Sequence, residues 1–452
     1  MYQTDQKLQQ KYKAFSLHDF QQIDEVQQHL DKEKQWEIKV VGHVFPFKIN
    51  NYVIKELINW EQPLDDPIFN ITFPQKGMLL PHHYEKMVRA LKNGQSDASI
   101  KHVAHKIRIE LNPHPAGQQE YNIPYLEGEP LEGMQHKYKE TILFFPKQGQ
   151  ACHAYCNFCF RWPQFVGTKE MKFANDDIEV LIQYLREHSE ITDVLITGGD
   201  PLIMKTHILG NYIRALLAAD LPHLQTIRIG TKALSYWPYR FLSDPDAPAL
   251  LDLFEEVVQS GKSLSLMAHF SHIRELQTDA VKEAIRRINS TGACIRTQSP
   301  ILAHINAQTD IWVEMWREQV RLGCIPYYMF VVRDTGAQHY FGIPLAQAYD
   351  IFRAAYREVS GLARTVRGPS MSTTMGKIQI LGTKKINGEK VFILQFLQGR
   401  NPDWVLRPFF AKYDREAIWF DDLKPAFGET EFFFKSDQAA LQNEEATFLH
   451  RN

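Results

Sequence analysis

Cysteine is scarce in this chain, basic residues form no block, and long apolar runs are missing. Five cysteines in 452 residues are too few for the disulfide framework of a secreted scaffold. The core must hold the fold, and a reducing cytoplasm is the expected home. Lys and Arg total 51 against 53 Asp and Glu, a formal net charge of −2, so nothing calls for nucleic acid as a partner. No apolar stretch approaches the ~20 residues that a membrane span requires. The opening MYQTDQKLQQKYKAF is polar and lacks an apolar signal core, so neither export nor a membrane is expected. What remains is 44% hydrophobic and 23% charged, the balance of a packed globular protein. The length allows one large α/β domain with extensions, or two domains.

Three of the five cysteines stand together in Cys152-His153-Ala154-Tyr155-Cys156-Asn157-Phe158-Cys159. They follow a strand-like run, Ile142-Leu143-Phe144-Phe145, and one short loop can aim all three sulfurs at a single point. Three thiolates on a four-iron cluster leave one iron open, whereas a structural site closes its fourth position. Spacing alone leaves two plainer readings: a zinc knuckle completed by His153, or three unrelated buried thiols. Cys294 and Cys324 sit in apolar strand-like surroundings and read as small core residues.

Residues 1 to about 60 read as helical decoration, with Ile23, Val26 and Leu30 on one face. Pro63, Asp65-Asp66-Pro67 and Pro74 predict an extended connector over 61–80. His82 and His83 follow Pro81 at a helix start and read as surface caps. A helix over 84–93 leads to a polar loop around Asn112-Pro113-His114-Pro115. From Ile142 the texture becomes regular. Strands are predicted at 142–145, 193–197, 226–230, 263–268, 293–298 and 325–332. Amphipathic helices are predicted at 176–187, 208–218, 249–259, 279–288, 310–322 and 345–358. Six strand–helix units imply a parallel sheet. They are too few for a closed eight-fold barrel, so the expected fold is an α/β open, partial (β/α)6 barrel with an N-terminal helical extension. In such sheets the chemistry lies at the C-terminal strand ends. After Gly361 the pattern breaks. Residues 378–398 alternate around Asn387-Gly388, a hairpin signal, within a small β-rich C-terminal appendage and a tail from 436. The expected organisation is 1–130 extension and connector, 131–368 barrel, and 369–452 appendage.

The second strand ends in Thr197-Gly198-Gly199-Asp200-Pro201-Leu202. Two glycines let a ligand lie against the backbone, and the aspartate can accept hydrogen bonds from an ammonium group. Joined to C-x3-C-x2-C one strand earlier, this turn makes the chain resemble radical S-adenosylmethionine (SAM) enzymes. More narrowly it resembles the lysine 2,3-aminomutase family. The likeness runs through Gly133-Met134-Gln135-His136-Lys137-Tyr138, Arg228-Ile229-Gly230-Thr231, His269-Phe270-Ser271-His272, Gln298-Ser299 and Pro326-Tyr327-Tyr328.

The resemblance implies a [4Fe-4S] cluster on Cys152, Cys156 and Cys159, with SAM on its open iron and Gly198, Gly199, Asp200 and Gln298 around it. It implies a 5′-deoxyadenosyl radical that takes hydrogen from the β-carbon of an amino acid held on pyridoxal 5′-phosphate, so that nitrogen moves from the α- to the β-carbon. Phe158, Phe160 and Trp162 would keep water away. Lys377, after Gly376, falls where the family carries its pyridoxal lysine, although the loop from Pro369 is longer and poorer in glycine. That departure leaves open a second reading, the same scaffold without pyridoxal phosphate. Lys137 and Tyr138 fall near the cofactor, and Arg161 falls where relatives hold the substrate carboxylate. Two aspartates receive the distant ammonium in lysine enzymes. The first falls near Arg333-Asp334, so that Asp334 is the candidate, and the second falls on Arg367, a reversal of charge pointing away from lysine as substrate. The resemblance also implies an electron donor of the flavodoxin or ferredoxin type, and a homo-oligomer.

Overall fold

Six amphipathic helices alternate with strands through the middle of the chain, and their apolar stripes dictate the layout. In the computed structural model, residues 9–93, 96–112, 122–166 and 173–435 are described. Most of the loop expected beyond Asn112, and the tail from 436, lie outside the described residues. One sheet contains β1 (Met134–Tyr138), β2 (Thr141–Phe144), β3 (Asp193–Ile196), β4 (Thr226–Thr231), β5 (Ser263–His269), β6 (Cys294–Ile301), β7 (Ile325–Val331), β8 (Arg367–Ser372), β9 (Gly376–Ile386), β10 (Glu389–Gly399) and β11 (Pro408–Lys412). They lie side by side in chain order. Every neighbouring pair from β2 to β8 is parallel. The pairs β1–β2, β8–β9, β9–β10 and β10–β11 are antiparallel.

A parallel neighbour requires the chain to cross back, and a helix does so each time. The crossovers are α1 (Ile178–Glu187), α2 (Thr206–Ala218), α3 (Ala247–Gln259), α4 (Asp279–Ser290), α5 (Thr309–Arg321) and α6 (Leu345–Arg357). Asp177 caps α1 by accepting from the amides of Glu179 and Val180, and Thr278 caps α4 by accepting from Val281. α4 buries Val281, Ala284, Ile285 and Ile288 on one face, each large aliphatic side chain contributing roughly 1.5–3 kcal/mol. No helix of the described residues is long and apolar enough to cross a membrane.

The sheet curls. Lys137 on β1 donates from Nζ to the carbonyl of Thr373, just beyond β8. Seven strand spacings of about 4.8 Å would put those edges some 34 Å apart in a flat sheet, far beyond a lysine's reach.

The structure departs from the sequence reading in several places. Arg367–Ser372 is a seventh parallel strand, where a turn was expected. Proline argues against a sheet interior because it has no amide to donate. Here Pro369 falls at the register shift between Tyr328 and Phe330 of β7. The hairpin closes at Asn387 (φ 49°) and Gly388 (φ 89°), as its sequence predicts, and it extends the same sheet. The expected connector contains a helix, Pro67–Thr72, started by Asp66 accepting from the Phe69 amide at 2.8 Å with Pro67 in the first turn. His83 is no surface cap: it is buried in the helix Pro81–Lys92 and bonds Glu110 at 2.7 Å.

The extension is also more than decoration. Its short strands Ala14–Ser16 and Lys48–Asn50 pair, and its residues reach the cysteine loop, as described below. Gly133 opens β1 at φ +77°, where an added Cβ would lie 2.4 Å from backbone atoms of Ala174 and Asn175. Gly133→Ala is therefore expected to lower the unfolding free energy by about 2–4 kcal/mol in a urea titration, the sum of backbone strain and overpacking.

Candidate active site

The cysteine loop leaves β2 and is held from outside by the N-terminal extension. Lys48 Nζ donates to the Cys152 carbonyl at 2.8 Å, and Tyr12 Oη donates to the His153 carbonyl at 2.8 Å. Asn50 Nδ2 bridges the carbonyls of His153 and Tyr236 at 3.2 and 2.9 Å. The Tyr155 amide donates to Lys48 O, and the Asn157 side chain donates to the carbonyls of Asn70 and Phe73. With its carbonyls and amides engaged in this way, the loop presents its sulfurs to a cavity of about 310 Å³ on the opposite side.

Gly198 and Gly199 lie against that loop. An added Cβ on Gly199 would sit 2.6–2.8 Å from backbone atoms of Ala151, and one on Gly198 would sit 2.4 Å from Gln150 Nε2. The amides of Gly199 and Asp200 donate to the carbonyls of Gly149 and Ala151 at 3.1 and 2.8 Å. The glycine pair thus packs the β3 turn directly onto the segment leading into Cys152. Asp200 accepts from Thr231 Oγ1, the Lys232 amide and the Leu202 amide at 2.8–3.0 Å, tying β3 to β4. Burial pushes its carboxyl up to about 6.

Around the same cavity lie the C-terminal ends of further strands: Gly230 and Thr231, His269, Gln298, and Val331 to Arg333. Gln298 and His269 hydrogen-bond each other at 2.8 Å. Burial, with Lys232 and Arg161 nearby, lowers His269 to about 3 and keeps it neutral. Lys232 pairs with the fully buried Glu275 at 2.6 Å and lies 4.5 Å over the Tyr236 ring, whose hydroxyl is 3.4 Å from Cys156 Sγ. Lys232, Glu275 and Tyr236 were absent from the sequence expectations. The signal for Lys232 was its place directly after the Arg228–Thr231 match.

A second cavity of about 260 Å³ adjoins the first, and Phe160, Arg161, Arg333, Ser372 and Lys377 line both. Lys377, on β9, donates to Gln398 Oε1 at 3.0 Å with its ammonium 4.2 Å over the Tyr328 ring. Burial first, then Arg228 and Arg367, lowers its pKa to about 7. Lys137 and Tyr138 stand opposite, with the Lys137 ammonium held well below its ordinary range by burial and by Arg333. Arg161 donates to Thr197 Oγ1 at 2.7 Å and to the Gly198 carbonyl at 2.9 Å, between the rings of Phe145 and Phe160. Asp334 and Arg367 lie outside both linings. Asp334 is 3.6 Å from Arg333, and the Arg367 guanidinium stacks 4.5 Å over Tyr327. Phe158 lines the larger cavity, while Trp162 turns away to pack on Phe45.

The donor set distinguishes between metals. Zinc bonds of about 2.3 Å place tetrahedral sulfurs about 3.8 Å apart. Among the described residues, the one trio of His, Cys, Asp or Glu with all ligand atoms within 4.8 Å is His82, His83 and Glu110. The three cysteine sulfurs are not all within 4.8 Å of one another, wider than one tetrahedral zinc requires. Burial raises all three thiols, Cys156 to about 12, so a thiolate here requires a metal's charge.

No family model matches the chain. A protein of Aquifex aeolicus provisionally named L-lysine 2,3-aminomutase is 34% identical over 396 residues, which cover 87% of this chain and 92% of the relative. The chain belongs to the lysine 2,3-aminomutase family. These are radical SAM isomerases, so the chain is an enzyme of that class. The L-lysine 2,3-aminomutase of Bacillus subtilis is 29% identical over 52% of this chain and 47% of its own length. The glutamate 2,3-aminomutase of Clostridioides difficile is 24% identical over 83% and 74%. Among solved structures, Streptococcus suis SuiB bound to precursor peptide SuiA superposes with a TM-score of 0.34 at 13% identity, over 60% of this chain and 55% of its own, too loose a likeness to argue from.

Proposed function

We propose that this family member is a pyridoxal-phosphate-dependent amino acid 2,3-aminomutase, moving the α-amino group of an α-amino acid to its β-carbon. One observation carries the reading: a buried lysine with a pKa of about 7 stands in the wall shared by the cysteine cavity and its neighbour. The second reading, a radical SAM enzyme without pyridoxal phosphate, leaves that lysine without a task.

When bound, a [4Fe-4S] cluster with SAM supplies a carbon radical, and pyridoxal phosphate supplies a π-system through which nitrogen can move. The protein's residues bind, orient and shield. Cys152, Cys156 and Cys159 would hold three irons, with the strand ends at Gly198 to Asp200 and Gln298 beside the fourth. Lys377 would carry the pyridoxal group, being largely uncharged and nucleophilic near neutral pH. Lys137, Tyr138, Ser372 and Thr373 surround the space beside it. Arg161, oriented by Thr197 and Gly198, offers a fork to the substrate's α-carboxylate. Phe158 and Phe160, in the wall of the larger cavity, would exclude water from it. We read the β2–β7 units as an open, partial (β/α)6 barrel and the curl as what brings Lys377 to the cavity. The cluster calls for a flavodoxin- or ferredoxin-type donor and a reducing, cytoplasmic setting. All five cysteines are free. By resemblance, several copies associate.

The deciding experiment is anaerobic incubation of reconstituted chain with SAM, a reductant and a panel of lysine, glutamate, alanine and arginine. A β-amino acid is expected from one of them, and formation of none would falsify the reading. A pH profile is a second check. Because the folded-state pKa of Lys377 lies below the ordinary 10.5, the reactive free amine accumulates as pH rises through about 7 rather than through 10. Reductive labelling of pyridoxal-free chain by pyridoxal phosphate should therefore rise with a midpoint near pH 7. A midpoint near 10 would show the amine to be solvated.

A further inference from the structure

We propose that the Tyr236 hydroxyl tunes the iron–sulfur cluster, donating a hydrogen bond to the Cys156 sulfur and easing the cluster's one-electron reduction. This inference rests on the assignment of the cluster to Cys152, Cys156 and Cys159. Tyr236 ends the short helix Ala233–Tyr236 that follows β4, and its side chain is buried. Its hydroxyl stands 3.4 Å from Cys156 Sγ, within reach of an O–H···S bond. Both residues line the larger cavity. Backbone contacts fix this approach from two sides. The Tyr236 amide donates to the Lys232 carbonyl at 2.9 Å. The Tyr236 carbonyl accepts from Asn50 Nδ2 at 2.9 Å, and the same Nδ2 holds the His153 carbonyl at 3.2 Å. One asparagine therefore sets the phenol and the cysteine loop in a common frame.

The direction of the bond follows from the state of the sulfur. A free thiol can donate to the phenol, but a thiolate on iron carries no proton and can only accept. A phenol keeps its proton at neutral pH, so it becomes the donor. Lys48 and Tyr12 grip the loop by its carbonyls, whereas Tyr236 meets a sulfur. Adding an electron makes the cluster more negative, and a donor at a ligating sulfur offsets part of that charge. The reduced form gains more than the oxidised form, so the potential rises. The Lys232 ammonium lies 4.5 Å over the ring and is paired with buried Glu275 at 2.6 Å. That pair anchors the ring without adding net charge beside the cluster. In the step itself, one electron passes to the cluster from a flavodoxin- or ferredoxin-type donor, or from dithionite. The phenol keeps its O–H bond throughout, so Tyr236 is a tuning group and not a reactant.

Tyr236→Phe removes the hydroxyl and leaves the ring in place. Reconstituted anaerobically, the variant should hold as much iron as wild type. Its cluster midpoint potential, read by EPR during a redox titration with dithionite, should fall by about 59 mV. That is a tenfold change in the one-electron equilibrium, the weight of a single hydrogen bond. A midpoint equal to or above that of wild type, with iron intact, overturns the proposal and leaves the cluster assignment standing. A wild-type chain that binds no cluster overturns the assignment as well. Loss of iron confined to Tyr236→Phe makes the hydroxyl part of the loop's structure and overturns the proposal. A measurement on wild type needs no variant. Exchange into D2O should shift an Fe–S(Cys) stretching band in the resonance Raman spectrum, because the O–H···S proton is exchangeable. An unshifted band overturns the proposal.

Discussion

Lys377→Ala should abolish borohydride-stable labelling by pyridoxal phosphate and cut β-amino acid formation by on the order of 10³ or more, because an untethered cofactor forfeits its effective concentration. Iron content should be unchanged, since the three cysteines lie on a different loop. The variant should also be more stable than its parent in the absence of pyridoxal phosphate, and the sign follows from linkage. A lysine whose folded-state pKa is lowered from 10.5 to about 7 carries its proton in the unfolded chain and loses it on folding between those values. Folding at pH 7–8 is thus penalised, and the penalty shrinks as pH rises toward 10.5. Lys377→Met, which keeps the buried stem and removes the ammonium, should unfold at higher denaturant than wild type at pH 7.5, with the gap closing at pH 10. A peptide map showing label on Lys384 or Lys385 instead would move the assignment to the exposed part of the hairpin.

Cys156→Ser is the other substitution with a large expected consequence. Serine is close in size, so the buried loop keeps its hydrogen bonds to Lys48, Asn70 and Phe73 and the chain should fold. With one of three ligands lost, iron retention and the visible absorption of the reconstituted cluster should collapse, and SAM cleavage should fall to background. Cys324→Ser tests the specificity of the claim. That residue is buried beside β7, away from the loop, and its replacement should leave iron content at the parental value. Equal iron in all three chains would mean that the cluster is not held where proposed.

The parts of this molecule legible in its sequence are those written in local periodicity and spacing. The alternation of α1 to α6 with β2 to β7 follows from apolar positions repeating every two or every three to four residues. Asn387-Gly388 announces its hairpin because only such residues accept a left-handed turn cheaply. The cysteine trio and the Gly198–Asp200 turn show through their spacing. What stayed hidden depends on contacts across long stretches of chain. Pro369 disguised β8, since the ladder's register shift at that point is set by β7. The hold of Lys48, Asn50 and Asn70 on the cysteine loop joins residues roughly a hundred positions apart, and no local pattern encodes it. Arg333 stands out in the sequence only as the neighbour of Asp334; its place in the walls of both cavities and its pairing with Asp334 come from the fold. Lys377 is the intermediate case: its place after Gly376 pointed to it, and its burial against Tyr328 explains its chemistry.

An unbroken hydrogen-bonded ladder from β1 to β11 leaves no hinge between the cysteine loop at one end and Lys377 toward the other. Enzymes built from two bodies bring reactive groups together by clamping. Here the spacing between the two is set by the pairing of strands within one sheet, like marks along a ruler.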